Sequence, residues 1–185
     1  TAMCHYARSV AHSALGQIEA ATQERDLFRA TWDKVPESRL FFNNNATDIL
    51  AIANSMMMGE LEYRKNNYDA AFNHLETAVR LNDNLYYTEP WAWMHPPRHA
   101  LGALLLEQGH VKKAEQAYRA DLGIDEILAR PLQHPNNVWS LHGYLECLQR
   151  TNQLSEAKTI KESLKHALAL SGETITSSCY CRRDH

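Results

Sequence analysis

Apolar side chains recur every three or four residues along most of this chain, a spacing that is typical of amphipathic helices. Glycine or asparagine interrupts the pattern at short intervals, which indicates tight turns between successive helices. The pattern therefore predicts an all-α protein of about four helix-turn-helix hairpins with long loops between them. The predicted helices cover residues 2–15 and 19–32, 48–64 and 68–82, the two sides of Gly109 as far as Leu122, and 138–150 and 155–170.

The third hairpin carries the most specific pattern. It contains a Leu-Gly pair, a turn glycine, a small packing residue and an aromatic residue, namely Leu101, Gly102, Gly109, Ala114 and Tyr118. These positions resemble the tetratricopeptide repeat (TPR), a two-helix unit of about 34 residues. No proline follows at the distance where that repeat ends. The resemblance implies that the hairpins stack into a right-handed solenoid whose concave surface is lined by the first helix of each pair.

The resemblance extends over nearly the whole chain. Four segments are similar to the C-terminal region of a group of poorly characterised TPR proteins of bacteria and fungi: YARSVAHSALG, EPWAWMHPPRHALGALLLEQG, HPNNVWSLHGYLECL and SSCYCR. It implies the TPR-like fold but no particular activity. Because helical sequence is already under way at Thr1, we also expect the chain to be the C-terminal piece of a longer protein.

Length and charge narrow the choice of function. A chain of 185 residues can bury the core of one domain, which we place at residues 1–171, followed by a cysteine-containing tail at 172–185. The 19 Lys and Arg residues against 22 Asp and Glu give a net charge of −3, so we expect no nucleic-acid partner. We expect no membrane association and a cytoplasmic location, because the sequence has neither a long apolar run nor a secretory signal.

Two histidines become equivalent when the hairpins are aligned on their packing alanines. His99 and His142 each precede that alanine by 15 residues, which would place them on neighbouring helices of the concave surface. Glu60 and Glu146 would lie on the same concave surface, one helical turn after the position that the histidines occupy. The pattern is compatible with copper or zinc held by the histidines, and with the carboxylates as a third ligand or catalytic base. The alternative is that they are ordinary polar residues of the groove.

The tail supplies a second group of possible metal ligands. Cys179 and Cys181 are separated by one residue, and His185 follows four residues later. Two such thiolates can bind Cu(I) or Zn²⁺, and a tail folded over the groove could add them to the two histidines. Zinc sites usually space their cysteines by two to four residues, so a disordered tail with incidental cysteines is the alternative. We expect Cys147 to pack in the core.

An aromatic insertion between the second and third hairpins suggests a ligand pocket. Trp91 and Trp93 could wall such a pocket at the mouth of the groove, and Arg98 could bind a carboxylate or phosphate there. Trp139, at the start of the fourth hairpin, completes this candidate ligand-binding set. The alternative is that the tryptophans only fill space beneath the long loops.

Two functions follow from these patterns. The first is a binding module that holds a protein, a peptide or a small molecule in its concave groove. The second is a copper or zinc enzyme in which the metal activates water or oxygen. No glycine-rich phosphate loop, HExxH motif or nucleophile elbow occurs, so the sequence does not decide whether the protein is an enzyme.

Overall fold

The structure is a computed structural model that describes residues 1–182. Eight α-helices make up most of this part of the chain, which confirms the all-α prediction. The chain divides into two compact units, Thr1–Pro97 and Arg98–His185, the second described as far as residue 182. Each helix boundary for which the sequence analysis gives a residue lies within two residues of it.

The first unit contains two helical hairpins. These are α1 (Ala2–Ala14) with α2 (Ile18–Trp32), and α3 (Ala46–Arg64) with α4 (Tyr68–Asp83). Helix α3 packs against the other three helices and is buried along most of its length. Its side chains Ile52, Met57 and Leu61 are fully excluded from solvent, so α3 forms the centre of the hydrophobic core.

A small β-hairpin joins the two helical hairpins where the sequence predicts a loop. Strand β1 (Leu40–Phe41) pairs with strand β2 (Asn44–Asn45) in antiparallel register. The buried Asn44 amide donates to the Tyr86 carbonyl oxygen at 2.9 Å and accepts from the Tyr86 backbone N–H at 2.8 Å. These two bonds attach the segment that follows α4 to the β-hairpin. They also supply hydrogen-bond partners for the Tyr86 backbone, which lies outside any helix.

The second unit contains the other two helical hairpins. These are α5 (Pro97–Glu107) with α6 (Val111–Leu122), and α7 (Val138–Arg150) with α8 (Leu154–Ser171). A single 3₁₀ turn at Arg130–Leu132 interrupts the long connection between α6 and α7. The side chain of Asn137 caps α7 by accepting from the backbone N–H groups of Trp139 and Ser140, as its position before the helix predicts.

The four helical hairpins turn by the same device. Each connection contains one residue with a left-handed backbone, at Gly16 (φ 75°), Asn66 (φ 64°), Gly109 (φ 78°) and Asn152 (φ 58°). Glycine adopts this conformation without a steric penalty, and asparagine tolerates it better than most residues do. The glycine and asparagine breaks in the sequence therefore mark the ends of the first helix in each pair.

Tyr118 holds three helices of the second unit together. Its ring is fully buried on α6, and a Cβ atom added to Gly102 of α5 or Gly143 of α7 would overlap it. The ring thus fills space that the two glycines leave open. In the first unit, a Cβ on Gly59 of α3 would similarly lie 2.7 Å from the Leu75 side chain of α4. Small residues on one helix therefore receive large ones from the next.

Within the part of the chain that the structure describes, no helix has the length and apolar character needed to cross a membrane.

We predict that Tyr118→Ala lowers the free energy of unfolding of the second unit by about 3–5 kcal/mol, because it leaves a cavity between three helices. Tyr180→Ala is the matched control. That ring is 65% exposed and meets the Trp139 ring edge-on, so its loss should cost about 1 kcal/mol. Urea unfolding followed by circular dichroism measures both values, and equal losses would contradict the central role of Tyr118.

Candidate functional site

The first unit contains a cavity of about 690 Å³. It is bordered by the start of α1, the end of α2, the start of α3, the β-hairpin and the segment 92–95. Its apolar lining comes from α1, the loop after α2, the β-hairpin, α3 and the segment 92–95: Ala2, Met3, Val35, Phe41, Ala46, Ile49, Leu50, Ala92, Trp93 and Met94. A cavity of this size and composition is typical of sites that bind small organic molecules.

Trp93 forms one wall of the cavity. The residue is only 8% exposed, and its ring meets the Tyr6 ring edge-on with 5.6 Å between centroids. Its indole Nε1 is buried without a hydrogen-bond partner in the described residues. Trp91, by contrast, is 39% exposed and does not line the cavity. The aromatic insertion therefore contributes one of its two predicted tryptophans to a pocket.

The polar groups of this cavity carry no negative charge. Its lining contains Lys34, Arg39 and the hydroxyl-bearing Tyr6, but no aspartate or glutamate. Burial, with a further contribution from the Glu60 carboxylate, raises the pKa of Tyr6 to about 12, so the phenol is neutral at physiological pH. Both cations are exposed, so they lie where the apolar interior meets water.

Glu60 forms an ion pair on its own helix. Its Oε1 accepts from Arg64 Nε at 2.7 Å, and both side chains are almost fully buried. The carboxylate is therefore held by a cation, as burial of a charge requires. Glu60 lies in the first unit, whereas the other predicted catalytic residue, Glu146, lies in the second.

Four side chains form a buried polar cluster in the second unit. At its centre is Asp121 on α6, which is 1% exposed. Its Oδ2 contacts His99 Nε2 of α5 at 3.0 Å and accepts from the Ser140 hydroxyl of α7 at 2.6 Å. Its Oδ1 contacts His134 Nδ1, from the loop before α7, at 2.8 Å. The cluster thus connects three helices and a loop through one carboxylate.

The cluster stabilises the charged form of Asp121. Burial alone would raise the pKa of this carboxyl group, but the hydrogen bonds from His134 and His99, together with their charge, hold the pKa far below its usual range. A carboxylate buried this completely requires such partners. His99 is 2% exposed, so it is a structural partner of Asp121 rather than a residue of an open groove.

The C-terminal tail folds back onto α7. His142 Nε2 bonds the Ile175 carbonyl oxygen at 2.7 Å, and Arg182 Nη1 donates to Glu146 Oε2 at 2.6 Å. The Trp139 ring meets the Tyr180 ring edge-on at 4.9 Å. A smaller cavity of about 300 Å³ lies between the tail and α7, and its polar lining includes His142, Glu146, Gln149 and Arg182. The tail as far as residue 182 is therefore ordered, and its Ser177, Ser178 and Cys179 are buried.

The predicted metal ligands are not brought together. Cys179 and Cys181 form a disulfide with each other, so neither sulfur is a thiolate. His99 bonds Asp121 and His142 bonds the tail backbone, which gives the two imidazoles different partners. Among residues 1–182, no group of three or more His, Cys, Asp or Glu side chains has an arrangement that could hold a metal ion. His185 lies outside the described residues.

The remaining predicted residues have separate places. Arg98 is buried at the start of α5, and Trp139 lies on α7 against the tail, both in the second unit. Cys147 is fully buried, and burial raises the pKa of its thiol to about 12, so it packs in the core as a neutral residue. That prediction is confirmed.

The sequence analysis did not identify the central residues of the buried polar cluster or the charged residues of the cavity. Asp121 occurs three residues after Tyr118 on the buried face of a helix, where a charged residue needs buried partners, and that position was a usable signal. Lys34 and Arg39 flank a proline-containing loop with no distinctive pattern. Only the fold shows that this loop closes over an apolar space.

We predict that Asp121→Asn destabilises the second unit by about 2–4 kcal/mol at pH 7, because the charged hydrogen bonds of the cluster are lost. The folded-state pKa of Asp121 lies below its unfolded value of about 3.9, so its contribution is fully present above that pH and is lost as the pH falls toward the folded pKa. The stability difference between wild type and variant, measured by urea unfolding from pH 5 to pH 3, should therefore shrink as the pH falls below about 4. A difference that grows over this range would contradict this assignment.

We also predict that the protein, purified without reductant and then denatured, shows two reactive thiols from its four cysteines, Cys4 and Cys147. Reduction before denaturation should raise the count to four. Cys181→Ser provides the control, because it should show three thiols with and without reduction. Four thiols in the unreduced wild type would exclude the disulfide.

Comparison of the chain with protein-family models, with curated proteins and with solved structures found no match in any of the three.

Proposed function

We propose that this protein is a TPR-like helical-repeat protein that binds a small apolar molecule in the cavity of its first unit. The observation that carries the proposal is the cavity itself, with about 690 Å³ of space between apolar walls. Removing apolar ligand surface from water supplies the driving force for such binding. The cavity belongs to one compact unit, so its walls are held by that unit's own core.

Packing between helices supports the TPR-like part of the proposal. Ala71, Ala114 and Ala157 are buried at the second helix of successive hairpins, as the repeat pattern expects of its small residue. Gly102 receives the Tyr118 ring, which matches the pairing of glycine and aromatic residue in that repeat. Within each unit, we propose that hairpins stack in the right-handed manner of TPR proteins, because this buries apolar faces that a single hairpin leaves exposed.

The size and lining of the site favour a small molecule over an extended peptide. Its walls come from several elements around one space of about 690 Å³, in the size range of small-molecule sites, and not from one continuous helix face or strand edge along which a peptide would lie. The copper or zinc enzyme gains no support, because residues 1–182 contain no group of three or more His, Cys, Asp or Glu side chains arranged to hold a metal ion.

The proposal predicts that the neutral fluorescent probe N-phenyl-1-naphthylamine binds to the protein with increased emission. Ala46→Trp should weaken this binding at least tenfold, because the indole would fill part of the cavity at the start of α3. Ala30→Trp is the matched control. Ala30 is exposed on α2 and does not line the cavity, so this variant should bind like the wild type.

A fluorescence titration with each variant measures the dissociation constants, and circular dichroism establishes that the variants are folded. If the probe does not bind the wild type, or if Ala30→Trp weakens binding as much as Ala46→Trp does, the cavity is not the binding site.

A further inference from the structure

We propose that the natural ligand of this cavity is an amphiphile with an apolar body and one anionic head group of the carboxylate type. This inference rests on the proposed function and goes further, because it assigns the head group to Lys34 and Arg39. The body lies among the apolar walls, and the head lies at the opening, where both cations contact it.

The lining of the cavity contains no carboxylate that could compensate the charge of its two cations. Lys34 and Arg39 border an apolar space that contains no aspartate or glutamate. Neither side chain forms an ion pair or a hydrogen bond within residues 1–182. A fixed positive potential next to a low-dielectric wall attracts an anion more strongly than the same charges on an open surface do.

The other Lys and Arg side chains of the first unit all have partners within the protein. Four of them contact carboxylates: Arg8 with Glu24, Arg25 with Asp26, Arg64 with Glu60 and Lys65 with Glu62. Arg29 and Arg80 bond uncharged side-chain atoms. The two cations of the cavity are thus distinguished from the other Lys and Arg residues of this unit, because their side chains have no ion-pair or hydrogen-bond partner within residues 1–182.

The cavity is apolar where it is buried and carries its positive charges where it is exposed. Ile49, Leu50 and Trp93 are buried, whereas Lys34 and Arg39 are exposed. A ligand that enters with its apolar end leading would therefore keep its head at the edge of the solvent. That orientation avoids the large desolvation cost of burying a charge, and it explains how an anion could bind beside apolar walls. Arg39 can also offer two parallel N–H groups to a carboxylate.

The test compares matched ten-carbon amphiphiles in displacing N-phenyl-1-naphthylamine from the full chain below their critical micelle concentrations. Decanoate, 1-decanol and decylammonium share the same apolar body and differ in the charge of the head. At low ionic strength, we expect decanoate to bind about fivefold more tightly than 1-decanol, and decylammonium to bind more weakly than either. Raising the salt concentration should reduce the preference for decanoate, because the cations are exposed.

The double variant Lys34→Met and Arg39→Met separates the head group from the cavity. It should remove the preference for decanoate over 1-decanol and leave the affinity for 1-decanol within about twofold of the wild type. Arg80→Met is the matched control, since Arg80 is an exposed arginine of the same unit outside the cavity, and it should keep the full preference.

The outcomes distinguish this inference from the proposed function. If decanoate and 1-decanol bind equally to the wild type, recognition of an anionic head group is excluded, whereas binding of an apolar molecule in the cavity is not contradicted. If the double variant keeps the preference, Lys34 and Arg39 are not the residues that recognise the anion. If neither amphiphile nor probe binds, the cavity does not bind small molecules and both proposals fall.

Discussion

The close approach of neighbouring helices at small residues is the constraint on which the rest of the structure depends. Tyr118 lies against Gly102 and Gly143, and Leu75 lies against Gly59, so each contact brings two backbones nearer than a larger residue would allow. Dense interiors tolerate little change in volume at such points. The helices of each unit are thereby fixed in position, and the loops between hairpins must bridge whatever distances remain.

The cavity of the first unit arises where such loops span the space between helices whose positions are fixed. The connection between α2 and α3 is too long for a simple turn, so it folds into a β-hairpin, and Asn44 fastens the segment after α4 to it. The two segments cover the ends of α1 and α3 without filling the space beneath them. Phe41 and Met94 stay partly exposed at its edge, which is an unfavourable arrangement in water and one that a bound apolar molecule would improve.

Sequence periodicity predicts the helices well because local spacing determines which face of a helix is apolar, and Gly109 or Asn152 marks a turn by its backbone alone. It predicts the site poorly because the site depends on loops. Helix register alone makes His99 and His142 equivalent. It carries no information about His134, which bonds Asp121 from a loop, or about the buried cluster to which His99 belongs.

The Asp121 cluster and the cavity of the first unit differ in how their charged side chains are stabilised. Asp121 is buried, so its charge is tolerable only because His99, His134 and Ser140 bond it, and at 1% exposure the carboxylate is closed to solvent. Lys34 and Arg39 are exposed, so water can solvate them without a protein partner. A cation that is solvated on one side and bordered by apolar walls on the other can contact an anion without being buried, which avoids the large cost of complete desolvation. For this reason we assign the proposed ligand recognition to the cavity of the first unit and not to the Asp121 cluster.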